Sequence, residues 1–95
     1  EWADFEIYIV SICPVDEVKM KANCLYPQTN ASIKKSNRYL KRHLDAPNLH
    51  YVNLYKKMQS GSGLSERFDT VYDGAHYTSD TYVKMWKMIK KKINS

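Results

Sequence analysis

Hydrophobic positions along the chain fall into four blocks separated by polar and turn-forming stretches. The first, Phe5-Glu6-Ile7-Tyr8-Ile9-Val10-Ser11-Ile12, is β-branched and almost without alternation. Such a run predicts a strand buried on both faces, as in parallel sheets. Cys13-Pro14 ends it, because proline cannot continue a central ladder. Residues 14–29 carry two prolines and mixed polarity and read as a loop. In the second block Ile33, Asn37, Leu40 and Leu44 recur at i, i+4, i+7 and i+11, one stripe of a helix. Asn30 or Ser32 can cap its start, and Pro47 stops it. Lys34, Lys35, Arg38, Lys41 and Arg42 occupy its other faces. Asn37 is the polar member of the stripe. Such a residue sits at the edge of a packing face or is hydrogen-bonded to a neighbouring segment.

The third block, His50-Tyr51-Val52-Asn53-Leu54-Tyr55, alternates as a second strand. Residues 56–72 read as a longer connection with Ser60-Gly61-Ser62-Gly63 as its flexible centre. The glycine spacing there is not that of a phosphate-binding loop, and no Gly-Lys-Ser/Thr follows. The fourth block begins near Thr78 or Ser79, either able to cap, with Asp80 in the first turn. Tyr82, Met85, Trp86, Ile89 and Ile93 then form an amphipathic stripe, expected to be a packing face. The order is strand, helix, strand, helix. Two strands joined through a helix predict a βαβ crossover in a parallel sheet, an α/β fold.

Composition narrows the picture. Ninety-five residues, 43% hydrophobic and 26% charged, fit one small globular domain, with no room for two. No apolar run approaches the roughly 20 residues of a membrane span. The net charge of +5 is compatible with an anionic partner. Lys84, Lys87, Lys90, Lys91 and Lys92 fall on the last helix, however, where they suit the polar face and the C-terminal dipole. No nucleic-acid-binding signature accompanies them. Cys13 and Cys24 lack metal spacing, and His43, His50 and His76 do not cluster near them, so neither metal nor cofactor is expected. The two cysteines would bridge in an exported protein and stay as small apolar side chains in a reducing compartment.

One stretch carries candidate chemistry: Tyr72-Asp73-Gly74-Ala75-His76-Tyr77-Thr78, directly before the last helix. Asp73 and His76 are three apart on a turn, so both can reach one site. A carboxylate bonded to one imidazole nitrogen fixes the tautomer and leaves the other free to accept a proton. An Asx-type turn followed by a surface histidine would give the same four letters.

The segment from Asp73 to Thr78, followed by Asp80-Thr81-Tyr82 and an amphipathic helix, resembles the final block of the SGNH (GDSL-type) hydrolase family. Ile7 to Val15 resembles that family's late central strand ending in Pro-Val. Asn30 to Leu40 resembles the following helix, and Tyr51 to Leu54 fits the next strand. The blocks come in the family's order and cover nearly the whole chain. The resemblance implies a partial three-layer, flavodoxin-like fold and a Ser-His-Asp esterase or acylhydrolase, or an acyltransferase with the same triad. It implies that His76 is general base and then general acid, that Asp73 orients it, and that the substrate is an acyl ester of a carbohydrate or lipid.

The chain departs from the family in two places. It holds no Gly-Asp-Ser block for the nucleophile and no Gly-x-Asn-Asp block for the oxyanion hole. Ser62 lies in a flexible stretch and Ser79 at a helix start, so neither is placed as a nucleophile. Two strands also cannot cover a run as apolar as Phe5 to Ile12. Residues 1–95 therefore read as the C-terminal part of one SGNH-like domain, inactive alone. Its sheet would be completed by a missing N-terminal half or by a second copy. The alternative is a small basic binding module for nucleic acid or carbohydrate, using the tyrosines and tryptophans for stacking.

Overall fold

A computed structural model describes residues 4–95; Glu1-Trp2, at which the sequence opens, lie outside the described residues. The chain is a mixed α/β unit built on a parallel pair of strands, β1 (Ile7–Val10) and β2 (Leu49–Val52), in register Ile7 to Leu49 through Val10 to Val52. Between them come helices α1 (Glu17–Asn23) and α2 (Asn30–Arg42). After β2 follow the short helix α3 (Leu54–Met58), a hairpin of β3 (Gln59–Ser60) and β4 (Gly63–Leu64), and the long helix α4 (Ser79–Ile93).

The four elements expected from the hydrophobic pattern are present, in order, with the expected parallel pairing. The additions have local causes. The expected loop at 14–29 contains α1, capped by Asp16, whose side chain accepts from the Val18 and Lys19 amides. Only Met20 of α1 is buried while Val18 is exposed, so its seven residues carry no apolar stripe to read. The expected strand His50–Tyr55 stops at Val52. Asn53 accepts from the Lys56 amide and caps α3 instead, a local side-chain bond that competes with the ladder. The glycine-rich centre of 56–72 is the tip of the β3–β4 hairpin, with Gly61 at φ +60°. Helix α2 is capped by Thr29, not by Asn30 or Ser32. Thr78 caps α4.

Alternation sorts the core. Tyr8, Val10 and Val52 share one face of the pair and pack with Leu54, Met58, Phe68 and Tyr77 under Met85, Met88 and Ile89 of α4. A second cluster, Val15, Met20, Ile33 and Tyr55, joins α1, α2 and α3. Both cysteines are free: Cys13 is buried in the first cluster and Cys24 borders the second. Burial pushes the Cys13 thiol up to about 11.

Two buried asparagines hold the chain beyond β1. Asn37 Oδ1 accepts from the Ile12 amide at 2.9 Å and its Nδ2 donates to the Ile12 carbonyl at 2.8 Å. Asn30 does the same to Val15, at 2.8 and 3.0 Å. Each amide plays the part of a missing strand neighbour, which accounts for the polar member of the α2 stripe.

The strand burial differs from expectation. β1 is half-buried throughout, and Phe5 and Ile12 at its ends are exposed. Among the described residues β1 pairs with β2 alone. The α4 stripe is divided: Met85 and Ile89 pack on the core, while Tyr82 and Trp86 are 46% and 54% exposed. The surface totals 6868 Å², against about 5,700 Å² for a compact chain of this mass.

Candidate functional site

Asp73 and His76 sit on a hairpin that the isolated bridge Thr70–Tyr77 closes. Inside it the Val71 amide donates to the His76 carbonyl at 2.8 Å, and the Gly74 amide to the Val71 carbonyl at 3.1 Å. The two Asp73 oxygens have separate tasks. Oδ1 accepts from the Ala75 and His76 amides, both at 2.9 Å, and closes an Asx turn. Oδ2 meets His76 Nδ1 at 2.5 Å. The Asx turn and the Asp73–His76 contact therefore coexist in this segment.

The backbone amide of His76, its side chain and the Ala75 amide lower the Asp73 carboxyl to about 2. An ionised carboxylate only accepts. The neutral imidazole thus carries its proton on Nδ1 and presents a lone pair on Nε2. The His76 side chain is 76% exposed and Asp73 20%, so Nε2 is open to an incoming group.

The hairpin is held by the segment that was expected to be a loop. The Asp16 amide donates to the Gly74 carbonyl at 2.9 Å. Lys19 Nζ donates to the Thr70 carbonyl at 2.9 Å and to Asp69 Oδ1 at 3.0 Å. Asn23 Nδ2 reaches the Tyr72 carbonyl at 2.9 Å, and Cys24 Sγ the Asp73 carbonyl at 3.4 Å. Tyr77 Oη donates to the buried Pro14 carbonyl, and burial raises that phenol above its ordinary value. On the other side the Asp69 amide donates to the buried Thr81 hydroxyl of α4 at 2.9 Å. Gly74 makes the approach possible. It lies at φ +75°, and a Cβ there would stand 2.5 Å from the Asp16 carbonyl oxygen and 2.8 Å from the Met20 amide nitrogen. Sequence reasoning missed that Asp16, Lys19 and Asn23 hold the hairpin; the signal was the Asp16-Glu17 start of a capped helix.

The other candidates lie apart. Ser62 is at the β3–β4 tip and Ser79 opens α4; both are exposed, and neither hydrogen-bonds to His76. His43 bonds the Tyr39 carbonyl and stacks on its ring, and His50 pairs with Glu6 and stacks on Tyr8. Among the described residues no group of three or more His, Cys, Asp or Glu side chains could hold a metal. No helix among them is long and apolar enough to cross a membrane. Searches of family models, curated proteins and solved structures return no match to this chain.

Proposed function

We propose that this chain is the C-terminal part of an SGNH-like serine ester hydrolase and supplies the Asp73–His76 half of its catalytic triad. The observation that carries the reading is the Asp73 Oδ2 to His76 Nδ1 contact, with Nε2 left open. In the proposed reaction His76 Nε2 takes the proton of a serine hydroxyl supplied by the preceding part of the domain. The serine oxygen bonds to the acyl carbon, and the C–O bond to the alcohol breaks. His76 returns the proton to the departing alcohol, and water or an alcohol acceptor then repeats the sequence on the acyl-enzyme. Asp73 stabilises the imidazolium formed at each step.

Support for an incomplete sheet comes from β1 and α4. A parallel strand is ordinarily paired on both edges and covered on both faces, and β1 has one neighbour among the described residues. On α4, Lys84 donates to the Arg67 carbonyl, so that flank lies on the side of the segment that follows β4. At 3.6 residues per turn Tyr82 and Trp86 fall on the other flank, half-exposed. Phe5 and Ile12 mark the ends of the same strand. A further parallel strand would pair the free edge of β1.

The test has two parts. The 95-residue chain is expected to show no turnover of a chromogenic acetyl ester. In the polypeptide encoded with its upstream sequence, His76→Ala is expected to lower kcat by about a thousandfold or more. Turnover by the 95-residue chain that His76→Ala abolishes would place a nucleophile inside it and sink the partial-domain reading. A gene without a Gly-Asp-Ser block upstream would remove the hydrolase assignment.

A further inference from the structure

A concentration of positive charge lies away from the dyad, at the end of β2. A cavity of about 270 Å³ opens there between α2, the end of β2 and α3. Lys34, Arg38 and Lys41 of α2 form one wall, Tyr51 and Asn53 the floor, and Lys56 of α3 the other wall. A neighbouring cavity of about 500 Å³ shares Lys41, Tyr51 and Lys56 and adds Lys57 and Lys92. Six cations thus line two adjoining cavities, and no carboxylate lines either. The ion pairs formed among the described residues involve Lys19, Lys84, His50 and His76, and none of these six.

This arrangement is unfavourable without a counter-charge. Lys34, Arg38 and Lys41 stand at i, i+4 and i+7 on one helix face, where like charges destabilise a helix. Helix α2 contains no acidic residue to offset them. Lys41 Nζ lies 5.9 Å from the centre of the Tyr51 ring, which holds one charge over the cavity floor. The Asn53 carbonyl oxygen caps α3, which leaves its amide N–H groups as further donors at the floor. Cations and donors from three elements therefore converge on a small concave space that no carboxylate lines.

We propose that this groove is a binding site for a phosphomonoester or pyrophosphate group. A carboxylate brings one charge, whereas a phosphomonoester brings nearly two and three acceptor oxygens, which matches a cavity with cations on facing walls. Arg38 offers the planar fork that grips two oxygens at once. The site lies between α2, the end of β2 and α3 and does not depend on the hydrolase reading. The competing explanation is that lysines guard an exposed strand edge against pairing with other chains.

The experiment titrates the ¹⁵N-labelled 95-residue chain with pyrophosphate at low and high salt. Saturable binding that weakens with salt and moves the Tyr51, Asn53 and Lys56 amides is expected. The double variant Arg38→Glu/Lys56→Glu should lose at least about tenfold in affinity, the loss expected from a single charge-assisted hydrogen bond. Lys35→Glu/Lys90→Glu, matched in charge and outside both cavities, should bind as the parent does. All four positions are exposed, and circular dichroism with a thermal melt checks that each variant is folded. Vesicles bearing a phosphomonoester lipid identify the source: binding that pyrophosphate competes away assigns the site to a headgroup, and binding of pyrophosphate without vesicle binding assigns it to a soluble ligand. Equal loss in both double variants, no saturable binding of pyrophosphate, or binding of an oligonucleotide alone would overturn the proposal.

Discussion

Gly61 and Gly74 offer a controlled comparison, because both sit in the left-handed region, at φ +60° and +75°. A Cβ on Gly61 would meet nothing within 4 Å. Gly61→Ala therefore costs only the conformational term, about 1–2 kcal/mol for an L-residue held there. Gly74→Ala carries the same term and a collision besides. Its Cβ would stand 2.5 Å from the Asp16 carbonyl oxygen and 2.8 Å from the Met20 amide nitrogen. Both are backbone atoms at the start of α1 and cannot swing aside. Relief requires the hairpin and α1 to separate, which lengthens the 2.9 Å bond from the Asp16 amide to the Gly74 carbonyl. Overpacking of this kind adds about 1–3 kcal/mol, so Gly74→Ala should total about 2–5 kcal/mol. The assay is urea denaturation of the two variants beside the parent, with a thermal melt as a second measure. The gap between them should be at least about 1 kcal/mol, or about 4–8 °C in Tm for a chain of this size. Both substitutions are made in one background, so the completeness of the sheet does not enter the difference. Equal losses in the two variants would refute the close approach of α1 to the hairpin, and with it the account of how the dyad is held.

Two further outcomes follow from side chains with countable partners. Asn37→Ala removes both hydrogen bonds to Ile12 and should destabilise by about 1–3 kcal/mol in urea denaturation, while the exposed neighbour Ser36→Ala stays within about 0.5 kcal/mol; similar losses in both would refute the strand-mimic role. Asp73 is held at about 2 by the His76 and Ala75 amides and the imidazole, below the ordinary aspartate value of about 3.9, so its stabilising contribution is complete above pH ~4 and is lost as pH falls towards ~2. In Asp73→Asn the urea midpoint should depend less on pH across that window, with the remaining slope including Asp69, which Lys19 holds below its ordinary value; an unchanged slope would show that the carboxylate is not held in this way.

What could be read in advance depended on how far each feature repeats along the chain. β1, α2, β2 and α4 announce themselves because an apolar run or a 3.6-residue stripe extends over several residues, and the parallel pairing follows from the helix between the strands. α1 and α3 have seven and five residues, one turn or two, and their existence rests on a single capping side chain each, Asp16 and Asn53. Asn53 also continues the alternation of β2, so pattern alone favours more strand there, and only the bond to the Lys56 amide decides otherwise. The dyad was legible for a similar reason: three residues of separation and a glycine confine Asp73 and His76 to one turn. Its supports were not, because they lie about 50 residues away in α1 and act mainly on backbone carbonyls, which any sequence supplies. Tyr82 and Trp86 are the informative mismatch. Their spacing predicts a packing face, yet Tyr82 meets only the edge of Tyr77 and accepts from its amide, and both stay about half-exposed. The basic groove differs in kind, since its facing walls come from α2, α3 and α4, and what it lacks is negative charge rather than apolar area.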